Sequence, residues 1–325
     1  MGYKRYIIRR VLYLVPLFFG ISILNFSLMN MAGDPVRLMT LGNPGLNIGQ
    51  VRENLRAYYG LDQPIYVQYG IWLWRFLNLD LGNSFYSGLP VNTIISFYAW
   101  ETIKLELAAL LFALVVGLPI GIYSARKQYS KLDFVASSSA VLGISIPIFY
   151  MGIVLIIIFS FFLGWFPSFG AHSLQTLRYP FGSYFIDELW HLVLPAFAIG
   201  WVSMALYTRL VRSSMLEILR QDYILAARAS GLSERTIIFK HALRNAAIPL
   251  VTYIGLSLGT LLAGAPMTET VFTWPGLGYL YVNAVTKLDF PVIMGINMII
   301  TLMILAVNLA TDMVYGIIDP RIRYD

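Results

Sequence analysis

Few residues in this 325-residue sequence have the types and spacing that chemistry requires. Gly255-Leu256-Ser257-Leu258-Gly259 fits the G-x-S-x-G pattern of a serine nucleophile, which needs a strand-to-helix turn and a His–acid pair around it. Here the pattern lies inside an apolar stretch, so Gly255 and Gly259 read instead as the small-xxx-small spacing by which membrane helices pack. Gly117 and Gly121 repeat that spacing. His172, His191 and His241 are scattered and none forms H-E-x-x-H, which argues against a zinc site. There is no cysteine, so disulfides, thiolate metal sites and thiol catalysis are excluded. No G-x-x-x-x-G-K-[ST] phosphate loop occurs. The sequence therefore reads as no enzyme, without catalytic, metal or cofactor residues, and an ATPase serving it must be a separate polypeptide.

The composition identifies what would position such residues. Hydrophobic residues make up 58 % and charged residues 12 %, against roughly 25 % charged in a soluble domain. Apolar runs of about 20 residues suffice to cross a hydrocarbon layer of about 30 Å as helices. The pattern predicts an all-α polytopic membrane protein with about six spans, near 11–31, 105–124, 134–162, 192–211, 246–266 and 292–318. Gly143 and Pro147 predict a kink in the third. The first reads as a retained span, because its apolar run is too long for a signal peptide and no small-x-small cleavage site follows. Polar residues noted within spans are Asn25, Asn297, Asn308 and Asp312. Asn308 and Asp312 read as a structural pair, whereas Asn297 reads equally as packing glue or as part of a pathway.

The net charge of +6 is distributed beside the spans and forms no nucleic-acid-binding domain. Lys4, Arg5, Arg9 and Arg10, then Arg126, Lys127 and Lys131, then the run from Arg209 to Arg244, and finally Arg321 and Arg323 all fall on one side. The positive-inside bias makes that side, with both termini, cytoplasmic. The organisation expected is residues 1–31 as N-terminal segment and first span, 32–104 as an extracytoplasmic segment, 105–318 as a five-span core, and 319–325 as a cytoplasmic tail. Within the outer segment, 51–59 reads as a short helix stopped by Gly60. A second begins at Pro64, with Ile65, Tyr66, Tyr69, Trp72, Leu73 and Phe76 at helical spacing. It suits the membrane interface, either bracing the bundle or receiving an outer partner.

The stretch 213–249 is too polar to span and too rich in helix formers for an open loop. Asp222 to Ser230 reads as a helix stopped by Gly231, and Ser233 as the N-cap of a second helix through Asn245. Ala226, Ala227 and Ala229 give the first helix little bulk, so a partner's groove could approach closely; basic residues on the second suit acidic groups or anionic lipid. A simple connection between spans is the other reading.

Residues Ala226-Ala227-Arg228-Ala229-Ser230-Gly231 resemble the EAA loop of permease subunits of bacterial-type ABC importers. Ala226, Ala227 and Gly231 match that motif, Leu225 stands where it has Glu, Leu243 matches downstream, and His241 and Arg244 replace its Ile and Pro. The chain is also similar to the dipeptide/oligopeptide/nickel permease group in Gly33-Asp34-Pro35, Gly60-Leu61-Asp62-Gln63-Pro64, Asp80-Leu81-Gly82-Asn83-Ser84 and Arg220-Gln221-Asp222-Tyr223. His241-Ala242-Leu243-Arg244-Asn245, the run Glu269 to Gly278, and Asp319-Pro320-Arg321 continue the similarity; the large outer segment resembles the B-type subunit.

The resemblance implies a permease that pairs with a homologous permease around a pathway for peptides or a related solute. It implies two ATP-binding subunits, which would hold the ATP and Mg, and an extracytoplasmic substrate-binding protein. The coupling contact would fall in 212–245, on Asp222, Tyr223, Leu225, Ala226, Ala227, Arg228, Gly231, Leu243 and Arg244. Glu269, Phe272, Trp274, Pro275 and Gly276 would lie at the outer mouth. A secondary carrier or channel subunit is the rival reading; a carrier would need internal repeats and a charged midplane site.

Overall fold

The computed structural model describes residues 3–32, 49, 53–54, 57–58, 60–173, 181–259 and 261–318. Among these, all regular structure is helical, with a single extended pairing between Asn83 and Pro90. The chain divides into two compact units, Met1–Glu101 with Gly276–Asp325, and Thr102–Pro275.

The first unit contains α1 (Tyr3–Ala32), α2 (Ile65–Leu77), the beginning of α3 (Val91–Arg126), α11 (Leu277–Thr286) and α12 (Phe290–Ile318). Its apolar core is Phe26, Met29 and Met294, with Tyr69, Trp72 and Phe290 packed on it. Tyr69, Trp72 and Phe76 of α2 are thus turned toward α1, while Tyr66 and Trp74 are exposed, and the Tyr69 hydroxyl lies 2.7 Å from Ser22 Oγ. Asn297 Nδ2 donates to Asn25 Oδ1 at 3.1 Å, and Asn25 Nδ2 donates to the Met294 carbonyl at 3.2 Å. In apolar surroundings such bonds cross-brace helices, so Asn297 serves as glue. The side chain of Asp312, the expected partner of Asn308, lies outside the described residues, as does most of the short helix expected at 51–59.

Asp80 organises the loop that follows α2. Its carboxylate accepts from Tyr58 Oη at 2.8 Å, Arg75 Nη1 at 2.9 Å and the Gly82 amide at 3.1 Å. Burial alone would raise the Asp80 carboxyl, but those three donors together hold it below its usual range. Burial and the Asp80 carboxylate push the Tyr58 hydroxyl up to about 12. Gly82 sits at φ +77, with Tyr58 Oη 3.1 Å from where a Cβ would be; a side chain there meets both strain and a clash. At the other end of the same phrase, Ser84 Oγ and the Phe85 amide bond Asp289, at 2.5 and 2.9 Å.

The second unit holds the rest of α3, α4 (Lys131–Ser145), α5 (Ile148–Phe162), α6 (Phe181–Leu219), α7 (Asp222–Ala229), α8 (234–246), α9 (Ile248–Gly259) and α10 (Pro266–Val271). Gly117 and Gly121 seat α3 on α6. Cβ atoms there would lie 3.0 Å from the Met204 carbonyl and 2.8 Å from that of Thr208. Thr208 Oγ1 donates to the Gly117 carbonyl at 3.2 Å. That is the close backbone approach that small-xxx-small spacing permits.

Two expected spans differ. The run 134–162 is two helices bent by 107°, a break rather than a kink, because Pro147 forces Ile146 into extended backbone, at φ −88 and ψ 126. The run 246–266 is not one helix: α9 has 12 residues, about 18 Å, and a single 3-10 turn, Leu261–Ala263, follows it. Gly264 at φ +64 and Pro266 then end regular continuation before α10. Conversely, α3 and α6 run to 36 and 39 residues and overshoot the spans 105–124 and 192–211 at both ends. Among the described residues four helices are long and apolar enough to cross a membrane, or five if the bent pair counts as one span.

Candidate coupling elbow

The elbow forms where α6 leaves its apolar path. After Leu219 two residues, Arg220 and Gln221, lead into α7, which begins at Asp222. Helix α7 closes on a Schellman motif, with the Gly231 amide donating to the Arg228 carbonyl at 3.0 Å and the Leu232 amide to Ala227 at 3.3 Å. Gly231 takes φ +81, the conformation that the motif requires. Ser233 then caps α8, its hydroxyl accepting from the Thr236 amide at 3.3 Å. Helix α8 starts as Glu234–Thr236, widens to π geometry over Ile237–Ala242 and ends as Leu243–Ala246.

The elbow has a held face and a free face. Ile224, Ile237, Ile238, Ala242 and Ala246 are buried with Tyr207, Val211 and Met215 of α6. Arg228 Nε donates to Glu234 Oε1 at 2.9 Å and Asn245 Nδ2 to Tyr223 Oη at 2.9 Å, closing one helix on the other. Asp222, Tyr223, Leu225, Ala226, Arg228, Gly231 and Arg244 are exposed. Ala227 and Leu243 are half-buried and packed on the core. Of the nine residues singled out from the sequence, seven are thus exposed and two are packed on the core. Leu232 and Phe239 add exposed apolar surface to the elbow. Sequence reasoning missed them, and it missed Ile224 as the anchor, although Ile224 and Ala227 stand one helical turn apart.

The residues expected at the outer mouth occupy different surroundings. In the second unit Glu269, Phe272 and Trp274 are buried and Pro275 is half-buried; Gly276 is buried within the first. The Glu269 carboxylate accepts from Thr102 Oγ1 and the Ala265 amide, both at 3.3 Å, while its carbonyl accepts from the Trp274 amide at 2.8 Å. The Phe272 ring lies 2.9 Å from where a Gly152 Cβ would be, and its carbonyl receives the Gly170 amide at 2.8 Å. Within the second unit Phe272 therefore packs α10 on α5, and Glu269 ties it to α3.

Charges inside the long helices escaped the sequence reading. Lys104 of α3 pairs with Glu188 of α6. Two histidines that look scattered in sequence converge on Asp187, with His191 Nδ1 at 3.6 Å and His172 Nδ1 at 3.9 Å. Burial lowers the His172 imidazole from its ordinary range. Ser173 donates to the same carboxylate through its amide and hydroxyl at 2.7 and 2.9 Å. Asp187 therefore ties the 164–173 loop to α6. No group of three or more His, Asp or Glu suited to a metal ion occurs among the described residues.

Residues 117–324 match the family model of the binding-protein-dependent transport system inner membrane component. The chain is 41 % identical over 321 residues to an oligopeptide transport system permease protein of Bacillus subtilis (strain 168), covering 98 % of this chain and 99 % of that one. It is 40 % identical over 339 residues to a dipeptide transport system permease protein of Escherichia coli (strain K12), with the same coverage. A di/tripeptide transport system permease protein of Pseudomonas aeruginosa (strain UCBPP-PA14) is 40 % identical, with 98 % of each chain covered. Among solved structures, a chain of the MetNI methionine ABC transporter in inward-facing form matches with TM-score 0.51. It is 20 % identical and covers 70 % of this chain and 96 % of that one; this likeness is one of fold alone.

Proposed function

Because the chain belongs to the family of binding-protein-dependent transport system inner membrane components, we propose that it is the permease subunit of an ATP-driven peptide importer, coupled to its motor through the free face of α7. The permease role itself follows from the family, whose members are membrane components of importers and not enzymes. Peptides are the solute named for the relatives at about 40 % identity over nearly the full chain. In this reading a homologous permease completes the pathway, and a binding protein delivers solute to the outer segment. Two ATP-binding subunits hold ATP and Mg, and both termini are cytoplasmic, as the placement of Lys and Arg suggests.

The observation that carries the coupling role is the division of the elbow into a buried anchor and an exposed helix. Ile224 is 0 % exposed, whereas Leu225 is 53 % exposed. A short helix pinned by one face can receive a push and hand it to α6 without unfolding. Leu225 occupies the position of the motif's Glu, so apolar burial supplies more of the contact than charge does.

Uptake of a labelled tripeptide into vesicles carrying the assembled complex tests the reading. It should stop when ATP is depleted or the binding protein is omitted, and persist when an ionophore collapses the ion gradients. Uptake that follows the ion gradients and ignores ATP would make the chain a secondary carrier.

A further inference from the structure

Asp133 and Arg212 join the cytoplasmic ends of α4 and α6. Arg212 Nε donates to Asp133 Oδ1 at 2.6 Å and Nη2 to Oδ2 at 2.9 Å, a fork that fixes angle as well as distance. Asp133 is only 3 % exposed. Its Oδ2 also accepts the Tyr129 amide at 2.8 Å, holding the turn in which Tyr129 takes φ +64. Ser130 caps α4 through the Asp133 amide at 3.2 Å. A second, exposed contact runs alongside, from Arg220 Nη2 to Gln128 Oε1 at 3.4 Å.

The far end of α4 is seated on the same helix. A Cβ at Gly143 would lie 2.6 Å from Trp201 Nε1, so α4 lies close on α6 up to the break at Ile146 and Pro147. Beyond the break the support widens, because α5 packs on α6 through Leu155, Leu194 and Ala198 and also on α10 through Gly152 and Phe272. The bend thus separates a helix seated on α6 from one shared between α6 and α10. Helix α6 is continuous to Leu219 and reaches α7 after two residues.

Desolvating two charges offsets much of their attraction, and apolar residues would bind the two helices at least as firmly. What the ion pair adds is a fixed geometry. We infer that Asp133 and Arg212 are positioning residues for transport: their fork makes the cytoplasmic ends of α4 and α6 move as one body, so displacement of the elbow reaches the bend at Ile146–Pro147. This rests on the reading that α7 receives the ATPase. The second arrangement that such a relay needs is a different angle at the bend.

The chain has no cysteine, so pairs introduced at exposed Val141 and Phe149, flanking the bend, can be spin-labelled without background from this subunit. In the assembled complex in lipid nanodiscs, the inter-label distance should shift between the nucleotide-free state and the state trapped with ATP and vanadate. Asp133→Asn and Arg212→Gln should each reduce that shift to less than half, while ATP hydrolysis continues and Ala226→Cys still captures the ATPase. The double variant should be no worse than either single, as residues acting through one pair require. Arg212→Lys should fall between, and the swap Asp133→Arg with Arg212→Asp should restore the shift. If the single variants fail to assemble, the swap decides. A full shift in the single variants, a swap that assembles without the shift, or no shift in the unaltered chain overturns the inference. Failure of Ala226→Cys to capture the ATPase when Asp133 and Arg212 are intact overturns the docking reading instead, and the relay with it.

Discussion

The elbow and the α10 turn lie in the same unit, and each coincides with a phrase of family-like sequence, yet they treat polar and apolar groups in opposite ways. The elbow displays Leu225, Leu232 and Phe239 to the outside. The α10 turn withdraws Glu269 and Trp274 entirely, each 0 % exposed. In the proposed function that exposed apolar surface is covered by the ATPase. A buried carboxylate surrounded by donors holds its own backbone in place. A recognisable motif can therefore mark a contact to be made or a joint to be kept rigid, and burial tells the two apart.

Substitutions at the two regions should separate accordingly. The largest effect is expected at the rigid joint: Trp274→Ala should destabilise the chain by about 3–5 kcal/mol, the usual cost of emptying a large buried aromatic site. Thermal unfolding of the purified protein in detergent would read it, and an unchanged midpoint would mean that the turn is not packed as described. Removing the cap that sets the elbow's second helix should matter less. Ser233→Ala is expected to cost about 1 kcal/mol and to show as faster amide exchange over 234–246, with the transmembrane helices unaffected.

A third expectation concerns pH at the loop that follows α2. The Asp80 carboxyl is held low in the fold, so its contribution is present above the ordinary carboxylate range and fades as pH falls through the depressed value. The Tyr58 hydroxyl is raised from 10.0 to about 12, so its contribution is complete below pH 10 and is lost as pH climbs toward 12. Asp80→Asn should flatten the acid limb of a stability–pH profile; the same limb in both proteins would remove Asp80 as its cause. The smallest effect on stability is expected at the free face. Leu225→Asp should change it by no more than about 0.5 kcal/mol, while retention of the ATPase during purification falls several-fold. A stable chain that keeps its ATPase would show that Leu225 lies outside the contact.

The sequence made some of this legible because certain signals are local. Ser233 and Gly231 bound the elbow through cap chemistry that needs only neighbouring residues, and the Gly117–Gly121 spacing shows its packing role directly. The broken third span was half visible: Pro147 marked a disturbance, but the 107° angle depends on what α4 and α5 each pack against. The short α9 was read as a full span because hydropathy does not register how Gly264 and Pro266 interrupt the backbone. Burial of Glu269 and Trp274 was illegible, since it depends on groups distant in sequence, such as the Thr102 hydroxyl that bonds the carboxylate. The convergence of His172 and His191 on Asp187, and of Arg212 on Asp133, is likewise a product of helix packing that spacing alone does not show.

Cross-linking at the elbow tests the central claim most directly. In the assembled complex, a cysteine at exposed Ala226 should capture an ATP-binding subunit in high yield, and one at buried Ala242, 0 % exposed, should capture none. Failure of Ala226→Cys to capture that subunit in a complex that still imports solute with ATP would contradict the account.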